Sequence, residues 1–315
     1  MARSLNETGK HMQTTIKSIV RFAGTGLHQG RPARLSIHPA PANHGIWFRR
    51  TDIEGNAMIA ARHDAVELSP LCTLLVNEAG VSVSTVEHVM AALSGCGVLN
   101  AILEIDGPEV PILDGSAAEF VRAILKTGVR RLDAPVHAIE VLRRVHVSDG
   151  SASATLTPAD ELEIDFSIDF VDAAIGQQHK VLRLSNGTFV RELCDSRTFC
   201  SQSDVDAMRA VGKALGGSLS NAVVVDGARV LNPEGLRHID EAVRHKMLDA
   251  LGDLALAGAP ILGRYTGIRA GHAVTNKLLR ALFADPLAYR IRTLSATECR
   301  LLPGAGLERD VFSHI

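Results

Sequence analysis

Hydrophobic and polar positions along this chain predict the same order of elements twice. In the first half, residues 16–22 and 33–38 read as strands joined across the glycine-rich stretch 24–30, and residues 45–50 as a third strand. A short helix follows at 84–95, its buried face supplied by Val86, Val89, Met90 and Leu93. Next come an apolar strand at 98–105, a turn holding Pro108 and Pro111, and a helix over about 116–126. The second half repeats the sequence of events. Strands between 136 and 184 precede a helix at about 240–257, a strand at 261–268 and a helix at about 274–283. Two such halves imply an α+β protein of two related domains meeting near residues 131–136. The expected boundaries are a flexible N-terminus over 1–15, a first domain over 16–133 and a second over 134–315. The second is interrupted near 201–219, where Val205, Met208, Val211 and Leu215 recur at helical spacing.

The predicted helix at 240–257 carries more than a packing face. At about 100° per residue, Val243, Met247, Ala250 and Leu254 share one narrow apolar side, while His245, Asp249 and Asp253 gather roughly opposite. An imidazole and a carboxylate four residues apart can reach one ion together. Spacing alone is weak, because 13 histidines should give roughly one or two such pairs by chance. The other pair, His63 and Glu67, has no further convergent chemistry and reads as solvated surface. A third ligand must come from elsewhere, and the candidate is His88, in Ser84-Thr-Val-Glu-His-Val-Met-Ala-Ala-Leu93. There Ser84 and Glu87 have the spacing of a capping box, which would leave Glu87 a purely structural part. Against that, a ligand imidazole beside a carboxylate would hold a metal and set a general base next to its water.

Five blocks then carry a resemblance. They are the Ser84 to Leu93 string, Asp106-Gly-Pro-Glu-Val-Pro-Ile-Leu-Asp-Gly-Ser-Ala-Ala118, Ser196-Arg-Thr-Phe199, Arg244-His-Lys-Met-Leu-Asp-Ala-Leu-Gly-Asp253 and Gly271-His272. In order and spacing, from about residue 16 to about 283, the chain resembles the bacterial UDP-3-O-acyl-N-acetylglucosamine deacetylases. These are metal-dependent enzymes of the committed step of lipid A synthesis. The resemblance implies a β-α-α-β layered sandwich, with the helices of both domains between their sheets. It implies a catalytic Zn²⁺, with Fe²⁺ an alternative that two imidazoles and a carboxylate suit equally. The metal ligands it implies are His88, His245 and Asp249. Glu87 matches the general base, Thr198 the oxyanion donor, His272 the general acid and Asp253 the carboxylate that orients it. Lys246 matches a further catalytic residue and a phosphate partner. By charge Arg269, like Lys246, suits phosphate, and Phe199 offers a ring face for the sugar, while Asp169 and Phe170 fall where the family handles the uridine end and the 201–219 segment resembles its acyl passage.

Composition fits this expectation. A formal charge of −2 lacks the basic excess of a nucleic-acid binder. Five cysteines without a C-x-x-C favour a reduced compartment, and a cytoplasmic monomer acting on the UDP-linked acylated sugar is expected. Residues 1–12 lack the apolar stretch of a signal peptide, and no later run approaches a membrane span. The glycines of Gly24-Thr-Gly-Leu-His-Gln-Gly30 match no dinucleotide fingerprint and read as turn formers. The end, Arg309-Asp-Val-Phe-Ser-His-Ile315, lacks the small apolar terminus through which some relatives are degraded, so that control is not expected here. Two other readings compete. A different metal amidohydrolase would tolerate loss of the acyl chain. A sugar-nucleotide or acyl binding module with a structural metal would need no base at Glu87.

Overall fold

The structure, a computed structural model, describes residues 12–307; the extreme N-terminal residues and the tail containing Arg309 to Ile315 lie outside the described residues. The first half builds a five-stranded sheet in the order Val20–Thr25, Pro32–Pro39, Ala101–Ile105, Ile46–Arg50 and Met58–Ala60. Its pairings are antiparallel except for Ile46–Arg50 against Ala101–Ile105. Alternation does the sorting. Ala33, Leu35 and Ile37 on one strand and Ala101, Leu103 and Ile105 on its neighbour point inward, with polar or partly exposed residues between them. Helices α1 (Glu87–Gly95) and α2 (Ala118–Thr127) belong to this half.

The second half builds a seven-stranded sheet around Ile261–Ile268, which pairs antiparallel with Ala152–Thr157 and parallel with Leu162–Asp169 and His137–Val141. Its helices are α3 (Thr188–Glu192), α4 (Gln202–Ala210), α5 (Glu241–Ala255), α6 (His272–Ala284) and α7 (Ala296–Cys299). One core runs through both halves: Leu35 and Phe48 of the first sheet, Val89 and Leu93 of α1, Leu248 and Leu251 of α5, and Phe166 of the second sheet belong to one buried cluster. Helices α1, α2, α5 and α6 thus lie between the sheets as a β-α-α-β sandwich. The α1–α5 contact at its centre is unusually close. A Cβ at Gly252 would lie 2.1 Å from the Glu87 carbonyl oxygen, so only glycine lets the two backbones meet there.

Several local expectations change. Residues 12–15, assigned to a flexible terminus, lead a strand Met12–Ile16 that pairs with Val129–Pro135. Its inward positions are polar, Gln13 and Thr15, which bond to Asn43 and to the Asn100 carbonyl, so hydrophobic patterning does not reveal it. The single strand expected at 16–22 is broken by exposed Lys17, Ser18 and Ile19. The capping box does not form. Ser84 closes the strand Ser82–Ser84, its hydroxyl donates to the Pro108 carbonyl, and Thr85 at φ +59° turns the chain before α1 starts at Glu87. His63 is half-buried rather than solvated, its ring stacked on Phe283 with centroids 4.2 Å apart, and takes no part in a site with Glu67. No helix among the described residues is long and apolar enough to cross a membrane.

Candidate active site

The close crossing of α1 and α5 brings the polar residues of both helices into the sandwich. Glu87, His88, His245, Asp249 and Asp253 are each no more than 5% exposed, so the polar stripe of α5 is buried rather than a solvated face. Burying this much polarity is unfavourable unless each group is matched, and most of it is. His88 Nε2 and His245 Nε2 stand 3.6 and 3.3 Å from Asp249 Oδ1, with the two rings nearly perpendicular and their centroids 5.0 Å apart. The other carboxylate oxygen, Oδ2, accepts a 2.8 Å bond from Lys246 Nζ.

The unmatched atoms point to a cation. His245 Nδ1 donates to the Ser196 carbonyl at 3.0 Å, and burial pushes its imidazole down to about 4, so Nε2 presents a lone pair. Asp249 is ionised: burial opposes its charge, but the Lys246 ammonium bonded to its other oxygen favours it, and the carboxyl lies well below the usual carboxylate range. Two acceptors, Nε2 and Oδ1, therefore face each other at 3.3 Å with no proton between them, and Oδ1 is buried without a hydrogen-bond partner. His88, His245 and Asp249 offer ligand atoms within 4.8 Å of one another, and this donor set fits a divalent transition metal with a position left open.

Beside these three residues stand two carboxyl groups and an imidazole. His272, at the start of α6, donates from Nδ1 to Asp253 Oδ2 at 2.8 Å, and its Nε2 lies 3.7 Å from Glu87 Oε1. Burial alone would lower its pKa, but the charges of Asp253 and Glu87 outweigh burial and raise it to about 9, so the imidazole carries a proton. Burial raises the Glu87 carboxyl, with the two nearby histidines opposing. Two carboxylates thus face one imidazole from opposite sides.

A cavity of about 570 Å³ opens onto these groups. His245, Lys246, Asp249 and His272 line its floor, Thr198 and Phe199 one wall, and Val205 and Met208 of α4 another. The wall is locked from behind. Thr198 N donates to the Gly115 carbonyl at 2.8 Å, and Gly115, at φ +84°, could not carry a side chain, because a Cβ would sit 2.0 Å from the Asn221 carbonyl oxygen. The adjacent Arg197 is 1% exposed and donates from both N and Nε to Glu241 Oε1 at the start of α5. At the mouth, Phe170 lies edge-to-face on Phe199 with centroids 5.2 Å apart, and Arg269 is bonded to Asp169.

All twelve residues singled out in the sequence therefore gather around one cavity or its floor, with two changes of partner. Arg269 is engaged by Asp169, and Lys246 by Asp249, so neither is an uncommitted cation. Three further residues join them. Ser196 enters through its carbonyl, Thr73 bonds both Glu87 and Asp253, and His28 turns a buried ring with no partner on either nitrogen toward the cavity. Only Ser196 had a signal, its place in the Ser196 to Phe199 block.

Three converging donors beside a cavity, with an adjoining carboxylate–imidazole pair, are the arrangement a metal-dependent hydrolase requires. The chain belongs to the UDP-3-O-acyl N-acetylglycosamine deacetylase (LpxC) family, whose family model matches residues 13–284. It is 50% identical over 284 residues to the UDP-3-O-acyl-N-acetylglucosamine deacetylase of Phenylobacterium zucineum (strain HLK1), covering 90% of this chain and 97% of that protein. The enzymes of the same name from Shewanella sp. (strain W3-18-1) and Shewanella loihica (strain ATCC BAA-1088 / PV-4) are 45% and 44% identical. Those matches cover 89% and 91% of this chain and 92% and 94% of the respective relatives.

Proposed function

We propose that His88, His245 and Asp249 hold a zinc ion, and that Glu87 and His272 carry the two proton transfers of amide hydrolysis beside it. The overall reaction is that of the family: removal of the N-acetyl group from UDP-3-O-acyl-N-acetylglucosamine, with release of acetate, in lipid A biosynthesis. When bound, the ion supplies Lewis acidity to the acetamide carbonyl and lowers the pKa of water toward about 7. Glu87 Oε1 takes the proton of the attacking water. The Thr198 hydroxyl donates to the oxyanion that develops on the carbonyl. His272, protonated and held by Asp253, then gives its proton to the departing sugar nitrogen, so that an amine leaves. Lys246 holds Asp249 in its ligand orientation. Phe199 offers a ring face to the sugar, Phe170 and Asp169 face the uridine end, and Arg269 serves the phosphates once Asp169 yields it. The acyl chain lies along α4, whose Val205 and Met208 line the cavity.

The observation that carries this reading is the orphaned Asp249 Oδ1 facing a neutral imidazole, with an acid–base pair alongside. We also read the chain as a monomer, since one chain supplies every group of the site. Its location is read as the cytoplasm, whose reducing poise suits five free cysteines. The two halves divide into domains over 16–133 and 134–315, with 201–219 as the acyl-passage insert. The test is turnover of the acylated nucleotide sugar by metal-replete protein, with metal analysis before and after chelation. Full activity in metal-stripped protein, or preference for a substrate without the acyl chain, would overturn it. Zinc against ferrous iron is decided by anaerobic purification and reconstitution with each.

A further inference from the structure

Thr73 lies in the loop before the short strand Leu74–Val76, 14 residues before Glu87 and 180 residues before Asp253. It is 2% exposed and touches both buried carboxylates of the acid–base pair. Its backbone N–H donates to Glu87 Oε2 at 3.1 Å, and its hydroxyl donates to Asp253 Oδ1 at 2.6 Å. The other oxygen of each carboxylate faces His272: Asp253 Oδ2 at 2.8 Å from Nδ1, and Glu87 Oε1 at 3.7 Å from Nε2. A closed ring results, from Thr73 through Glu87, His272 and Asp253 back to Thr73.

Each bond of the ring does separate work. The N–H fixes Glu87 by one oxygen and leaves the other directed at the reaction. The hydroxyl, in a charge-assisted bond, stops the Asp253 carboxylate from rotating about its own axis and so fixes the plane in which the His272 ring sits. Thr73 is itself held. Its carbonyl accepts from Thr85 N at 3.0 Å, at the turn that launches α1, and a β-branched side chain has a stiff χ1. The loop therefore transmits the position of α1 to a side chain on α5 and, through it, to α6.

We infer that Thr73 is a positioning residue for the deacetylation: its hydroxyl sets Asp253, and through Asp253 the orientation of the proton-donating His272, while its N–H sets Glu87. The inference rests on the roles given above to Glu87, Asp253 and His272. A residue that only filled space would be replaceable by valine, which has the same shape and keeps the N–H but lacks the hydroxyl.

The experiment measures kcat, KM, metal content and thermal midpoint for Thr73→Val, Thr73→Ala and Thr73→Ser, and kcat for Asp253→Ala with and without Thr73→Val. Loss of an orienting bond of this kind typically costs roughly 10- to 100-fold in activity. That loss is expected in kcat for Thr73→Val, with KM and bound metal unchanged, and Thr73→Ser is expected to recover kcat to within about threefold of the parent. In the Asp253→Ala background, Thr73→Val is expected to add less than about threefold, because the group it acts through is gone. If the valine variant is poorly folded, the alanine variant, which needs no branched carbon accommodated, carries the same expectation. Parental kcat in folded Thr73→Val or Thr73→Ala, a loss that serine does not recover, or a full loss still seen on Asp253→Ala overturns the inference. Failure of the underlying reading looks different, since Asp253→Ala alone would then leave kcat unchanged.

Discussion

At the floor of the cavity, between α1 and α5, the polar groups are buried and tied to neighbours on three different segments, while the mouth is lined by partly exposed side chains and a helix with no buried residue. The floor has Asp249 gripped by Lys246, His245 by the Ser196 carbonyl and Asp253 by Thr73. The mouth has Phe170 at 41% exposure, an Asp169–Arg269 pair open to solvent, and α4. Low dielectric and fixed geometry make each floor interaction strong and each loss expensive. Screening and side-chain freedom make the mouth forgiving.

The largest effect is expected from His245→Ala. On the proposed assignment this removes a ligand rather than a proton carrier, so metal content and turnover should fall together, with Asp249→Ala alike. A purified His245→Ala protein with a full equivalent of metal and normal turnover would break the contrast at its root. Glu87→Gln is expected next, with metal and thermal midpoint retained and kcat reduced on the order of 10² to 10⁴, the usual size of general-base loss. Wild-type single-turnover rates in that variant would leave Glu87 a structural residue. Behind the wall, Arg197→Met removes the buried charge partner of Glu241, leaving that carboxylate only backbone N–H donors, and should destabilise the fold by about 3–5 kcal/mol, read in denaturant melts. A midpoint shift within error would show that the clamp on the Ser196 to Thr198 segment is dispensable.

Lys246 and Arg269 test the contrast most directly, as two cations of one cavity. Lys246→Gln should lower metal affinity, because its ammonium sits at 2.8 Å on the Asp249 carboxylate, proposed above as a ligand. Arg269→Gln is the smallest change. Its exposed ion pair contributes about 0–1 kcal/mol to stability, so it should leave the melting point alone and raise KM in a way that fades at high ionic strength. Equal salt dependence in both variants would erase the distinction between floor and mouth.

How much of this could be read from the chain follows the same division. The α5 stripe gives itself away because His245, Asp249 and Asp253 repeat every four residues, and the strand Ile261–Ile268 forms with the ends expected from the sequence. The roles proposed for Glu87 and His272 needed the family resemblance, since a histidine after a glycine has no periodicity to betray it. The misplaced start of α1 has a physical cause: Ser84 and Glu87 have capping spacing, but Glu87 is drawn away by Thr73 N–H, a partner 14 residues earlier in the chain. Thr73 was invisible for the converse reason. Its importance lies wholly in two partners on other segments, one of them 180 residues distant, and nothing local marks it.

Helix α4 runs for nine residues, is capped by Ser201 through a 3.0 Å bond from Asp204 N, and has no buried residue of its own. A helix so short is marginal in water unless something packs on it. With Val205 and Met208 turned to the cavity, the acyl chain of the substrate would be what completes its apolar side. Ordering this segment and holding the lipid then become one equilibrium. Amide hydrogens over 202–210 should exchange fast in the free enzyme and slow in the presence of an acylated ligand, and acyl binding should show a negative heat-capacity change that a deacylated nucleotide sugar does not reproduce. In that case the selectivity for chain length is stored as much in the stability of a helix as in the shape of a hole.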